Sequence, residues 1–100
     1  MFAISAALAF VLMTPHSVRA TGTPCLPASD TQDLVDARKV IAPGMAVLLA
    51  RRTVPTGEVL RATLCRTGDR LIYLIMVLRN DGRLMRVTID APSGKVEPLR

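Results

Sequence analysis

Few side chains in this chain are suited to chemistry. Cys25 and Cys65 are the only cysteines. An even count in an exported chain reads first as a disulfide. The bridge would close a loop of about 40 residues and contribute roughly 4 kcal/mol on the chain-entropy account. The pair lacks the close Cys-x-x-Cys spacing of a redox site. "TGTP" before Cys25 lacks the Leu and the adjacent small residue of a lipid-attachment site. The only histidine, His16, lies near the start of the chain. The rest therefore offers no Ser–His or Cys–His pair for nucleophilic catalysis. Ser29 and Ser93 read as a cap and a turn residue. The carboxylates sit singly, which suits neither a metal cluster nor a paired acid and base. Asp90 precedes Ala-Pro-Ser-Gly, and its carboxylate is expected to bond the turn amides of residues 92–94. The expectation is a protein that is not an enzyme and holds no cofactor or metal.

The elements around these residues begin with a leader. Residues 2–13, "FAISAALAFVLM", form an apolar run too short for a bilayer core, which takes about 20 residues. Val18 and Ala20 suit a cleavage site, so residues 1–20 read as a signal peptide and the product as periplasmic or secreted. No stable membrane span is expected after cleavage. Arg19 leaves with the leader, so 13 basic residues become 12 against 8 acidic, a net charge of +4. With Tyr73 the one aromatic residue left, no stacking platform exists for a nucleic acid, and none is expected as partner. Residues 21–30 read as an extended lead-in and 31–100 as the domain. A core this small gains from a staple.

In the domain, "TQDLVDARKVIAPG" places Leu34, Ala37, Arg38 and Ile41 on one helical stripe, capped by Ser29 or Asp30 and ended by Pro43-Gly44. "MAVLLARRTV" follows as a second short helix with Met45, Leu48 and Leu49 on one side. After Gly57 the period changes to two. Gly68-Asp69 fits a two-residue hairpin turn with Gly first. That turn sets Leu64 opposite Tyr73 and Cys65 opposite Ile72. A three-residue Asn80-Asp81-Gly82 turn sets Val77 opposite Met85, Ile75 opposite Val87 and Tyr73 opposite Ile89. A slip of one residue would turn every side chain over. The inner face is then Leu60, Ala62, Leu64, Tyr73, Ile75, Val77, Met85, Val87, Ile89 and Val96. The fold class is α+β: two short N-terminal helices packed on one face of a three- to four-stranded antiparallel meander.

Residues 36–100 resemble a PepSY domain. The resemblance rests on the Tyr-headed strand at Tyr73, the Asp81-Gly82 turn, the strand ending Ile89-Asp90-Ala91, and the closing turn Ser93-Gly94-Lys95-Val96. It implies an extracytoplasmic, non-enzymatic α+β module of a kind for which a role in restraining peptidases has been proposed, many stand-alone members having no established role. The departure is Leu74 and Met76, where that family commonly carries charged or polar residues.

That departure raises the question of what covers the second face. Ile72, Leu74, Met76, Leu78 and Leu84 lie there, mixed with Arg61, Thr63, Arg86 and Thr88. Burying one such apolar side chain is worth about 1.5–3 kcal/mol. Three readings stand open. The lead-in folds back over the face, with Cys25 bonded to Cys65 and Leu26 near Ile72 or Leu74. Alternatively the face binds a protein partner or a second copy. Otherwise the register is different. The leading functional reading is a binding module that acts on an extracytoplasmic peptidase or envelope sensor. The other is a structural, homodimeric envelope protein. The candidate interface is Ile72, Leu74, Met76, Leu78, Leu84, Arg61 and Arg86.

Overall fold

The structure, a computed structural model, describes residues 24–98. The leader assigned to residues 1–20, with His16, lies outside the described residues. The elements are α1 (Ala28–Asp36), α2 (Pro43–Thr53), β1 (Glu58–Thr67), β2 (Arg70–Leu78) and β3 (Leu84–Asp90). The class is α+β, with one three-stranded antiparallel sheet of order β1-β2-β3. The expected fourth strand is reduced to a single bridge, Ile89 with Val96.

The first helix differs from the expectation at both ends. It starts after Pro27, and neither Ser29 nor Asp30 caps it. It stops at Asp36 because Arg38 takes a left-handed conformation with φ 57°. The Lys39 amide then donates to the Leu34 carbonyl at 2.9 Å and the Arg38 amide to Val35 at 3.0 Å. This pair of bonds closes a helix end, a task usually given to Gly. Ile41 is therefore outside any helix, and the predicted stripe through it does not exist. Its amide donates to the Ala91 carbonyl at 2.9 Å, and its own carbonyl accepts from the Tyr73 hydroxyl at 2.6 Å.

Pro43 opens α2 rather than closing α1. Proline suits a first helical position, where its missing N–H would have no partner anyway. The buried side of α2 is Ala46 and Ala50, followed by Val54. Met45 and Leu48, expected inside, are 50% and 41% exposed. Ala46, Ala50 and Val54 share one buried cluster with Leu64, Tyr73, Ile75, Val77, Val87 and Ile89. Small side chains let a helix approach a sheet closely; of the larger residues of α2, Leu49 packs against this cluster as expected, whereas Met45 and Leu48 stay outside it.

Turn chemistry sets the register of the sheet. Gly68 has φ 58° and joins Thr67 to Arg70. Leu64 pairs with Tyr73 and Cys65 with Ile72, as the hairpin turn predicts. Gly82 has φ 85°, and the Arg79 amide donates to the Arg83 carbonyl at 2.8 Å across the three-residue turn. Val77 pairs with Met85, Ile75 with Val87 and Tyr73 with Ile89. Near the start of β1 the pattern breaks. Val59 pairs with Val77 and Arg61 with Met76, so Leu60 is an extra residue in a bulge. Val59 packs against the core in its place, and Leu60, expected on the inner face, is 53% exposed.

Candidate functional site

The pairing lines up the outer face in four rows across the strands. Cys65, Ile72 and Asp90 form the first, Thr63, Leu74 and Thr88 the second, and Arg61, Met76 and Arg86 the third. Glu58, Leu78 and Leu84 form the last. An apolar spine on β2 thus runs between polar rims on β1 and β3. Ile72 is buried, Leu74, Met76 and Leu78 are half-buried, and Leu84 is 61% exposed. Arg61 and Arg86 are exposed and flank Met76. The structure thus sets the candidate interface residues on one face. Ile72 is itself covered, at 6% exposure, and offers little surface to a partner.

The cysteines are bonded at one end of this face. The S–S bond of Cys25–Cys65 is 2.05 Å and the Cα atoms are 3.8 Å apart. Among the described residues the lead-in does not cross the face, as one reading had it. It runs along the free edge of β1, where the Leu26 amide donates to the Leu64 carbonyl and the Arg66 amide to Pro24, each at 2.8 Å. Cys25 and Cys65 sit between these bonds, where opposed side chains come closest in an antiparallel ladder. Leu26 turns to the inner side. It lines a pocket of about 340 Å³ with Ala62, Leu64, Tyr73 and Pro43. It lies there instead of near Ile72 or Leu74 because alternate residues of an extended segment point oppositely.

At the same end, Arg70 bridges Asp90 at 3.4 Å and also Glu97. The Asp90 carboxylate accepts from the Ser93 hydroxyl at 2.5 Å and the Ser93 amide at 3.2 Å. Pro92 has no amide, and the Gly94 amide goes to the Asp90 main-chain carbonyl at 2.7 Å, so the expected bonding to residues 92–94 narrows to Ser93. These bonds, the Ser93 hydroxyl foremost, hold the Asp90 carboxyl below its ordinary 3.8. The Glu97 and Asp90 carboxylates push the exposed Arg70 guanidinium up. Burial pushes the Tyr73 phenol above its ordinary 10.0.

A shallow cleft of about 550 Å³ lies along β3 on the outer face, lined by Met76, Leu84, Arg86, Thr88, Glu97 and Pro98. Sequence reasoning placed four of these on the outer face but missed Glu97 and Pro98, because the closing segment returns beside β3 through only a few hydrogen bonds. Among the described residues no group of three His, Cys, Asp or Glu is placed to hold a metal, and no helix is long and apolar enough to cross a membrane. The face carries apolar contact area, two arginines and hydroxyls, which suits binding by contact. No family model matches this chain, and neither does any curated protein or solved structure.

Proposed function

We propose that the chain is a non-catalytic, extracytoplasmic binding module of PepSY type, which contacts a protein partner through the outer face of its sheet. In this reading the leader directs export, the helices cover the inner face, and the outer face is kept for the partner. The Cys25–Cys65 bond supports an oxidising compartment. The observation that carries the reading is the spine Leu74, Met76, Leu78 and Leu84, which remains partly or largely exposed between Arg61 and Arg86. An apolar centre with an Arg-bearing rim is the usual anatomy of a contact surface. A peptidase or envelope sensor is the partner class that the resemblance suggests.

Self-association through the same face is the second reading, favoured by its apolar spine. Stacking two copies about Met76 would bring four arginines together, and none of Arg61 or Arg86 is in an ion pair among the described residues. Like charges in an interface oppose such a dimer.

The double change Leu74→Asp, Met76→Asp tests both. Sedimentation is expected to show a monomer before and after. Pull-down from an envelope extract is expected to recover a partner with the wild type and lose it with the variant. Equal recovery by both proteins would remove the outer face from the contact. A dimer that dissociates in the variant would favour self-association.

A further inference from the structure

Among the described residues the two edges of the sheet are not equally closed. The Ala91 amide donates to the Leu71 carbonyl at 3.0 Å. Antiparallel alternation then turns the main-chain groups of Met85, Val87 and Ile89 toward β2, and those of Leu84, Arg86, Thr88 and Asp90 away from it. Two observations agree. The Asp90 amide donates to the Lys95 carbonyl, and the Thr88 carbonyl accepts from the Glu97 amide, each at 2.8 Å. The returning segment thus covers the Asp90 and Thr88 end of β3. Among the described residues no main-chain hydrogen bond reaches Leu84 or Arg86 from that side.

On the other edge, the lead-in covers β1 at Leu64 and Arg66, and the bulge at Leu60 interrupts the remainder. Bulges are a common guard against strand addition. The pairing of β3 with β2 has no such break from Asp90 to Leu84. Beside that open stretch lies the cleft formed by Met76, Leu84, Arg86 and Thr88. Arg83 and Arg86 carry charge there without an ion-pair partner among the described residues, whereas Arg79 is held by Asp81 at 3.2 Å.

We propose that the edge of β3 at Leu84 and Arg86 receives an extended, apolar, acid-bearing segment of a partner protein as an added strand. This deepens the proposed function and rests on it. Main-chain bonds to Leu84 and Arg86 supply affinity, as in other strand additions. Side chains of the incoming strand alternate between the two faces. On the outer side a carboxylate meets Arg86 and an apolar residue meets Leu84. On the inner side an apolar residue lies beside Met85.

The test uses the full chain and short acetylated peptides with Val on both faces and Thr at the ends. One has a central Glu, one a central Lys, and one is the Glu peptide N-methylated on alternate amides. Binding is read by amide hydrogen exchange and by titration. The Glu peptide is expected to protect the amides of Leu84 and Arg86. The Lys peptide, which lacks a hydrogen bond to a charged group, and the N-methylated peptide, which lacks more than one main-chain bond, are expected to bind at least about tenfold more weakly. Arg86→Glu reverses the charge preference. Leu84→Pro removes an edge donor at the first residue of β3, a tolerated place for proline, and weakens every peptide.

Equal binding of the Glu and Lys peptides overturns the proposal, as does indifference to N-methylation. Protection of Leu84 and Arg86 that grows with protein concentration and needs no peptide overturns it in favour of a second copy. The two readings fail separately. If the outer-face double variant loses its envelope partner while no peptide protects the edge, the module stands and the strand addition falls. If the Glu peptide protects the edge while that variant keeps its partner, the edge stands and the outer-face contact falls.

Discussion

Asp90 ties three parts of the chain together. It ends β3, accepts both hydrogen bonds from Ser93 and meets Arg70 of β2. The pKa of its carboxyl is lowered in the folded state, so the folded state binds this proton less readily than the unfolded chain. The stabilisation is fully present above 3.8 and is lost as pH falls from there through the lowered folded value. Urea midpoints of the wild type are expected to fall on acidification, and those of Asp90→Asn to fall less. An equal acid slope in both would remove Asp90 as the cause. Tyr73 has the opposite sign. Its phenol is raised by burial, so its contribution is present below 10.0 and is lost as pH rises beyond it. Tyr73→Phe is expected to flatten the alkaline limb. At neutral pH it leaves the Ile41 carbonyl without its donor, a cost of about 1 kcal/mol in urea unfolding.

At the scale of elements, α2 shows why strands were more legible than helices. Hairpin register follows from turn residues with definite backbone demands, and Gly68 and Gly82 both have the positive φ that their turns require. A period of two then assigned faces along all of β2. The helix faces were assigned from the largest apolar residues, but close approach selected Ala46 and Ala50 and left Met45 and Leu48 outside. The end of α1 was hidden because Arg38, rather than a Gly, takes the left-handed position. The bulge was hidden because Val59 and Leu60 are both apolar and either could face the core. These corrections have measurable consequences. Leu48→Glu is expected to change stability by less than about 0.5 kcal/mol, as at an ordinary surface site. Ala50→Leu is expected to cost about 1–3 kcal/mol through overpacking. Chemical denaturation of the two variants separates the faces, and the reverse order of costs would restore the face expected from the sequence. Gly57→Ala belongs to the same test. A Cβ there would meet Val77 Cγ1, with Val54 Cγ1 at 3.0 Å, so destabilisation is expected although the backbone there is not left-handed.

At the scale of the whole molecule, the described residues close the sheet at one end and leave it open at the other. The lead-in covers β1 at Leu64 and Arg66, and the returning segment covers β3 at Thr88 and Asp90. Both lie near the Gly68 hairpin, opposite the Leu78 and Leu84 end. The cysteine pairing was legible from the even count and the expected export, but its edge-on placement was not, since nothing in the spacing distinguishes an edge from a face. The bond joins residues 40 apart, and α1 and α2 lie between them. Cross-linking a loop of that length removes about 4 kcal/mol of unfolded-state freedom on the chain-entropy account. A domain of this size has only about 5–10 kcal/mol in total. The double change Cys25→Ser, Cys65→Ser is therefore expected to lower the urea midpoint sharply. The main chain should give way locally first. The Leu26 and Arg66 amides, which hold the lead-in to β1, are expected to lose exchange protection before Tyr73 and Ile75 at the centre of the sheet. A midpoint unchanged by the double variant would mean that the lead-in is held by its packing at Leu26 rather than by the bond. Leu26→Ala in the oxidised protein separates these cases, since it removes the packing and leaves the cross-link in place.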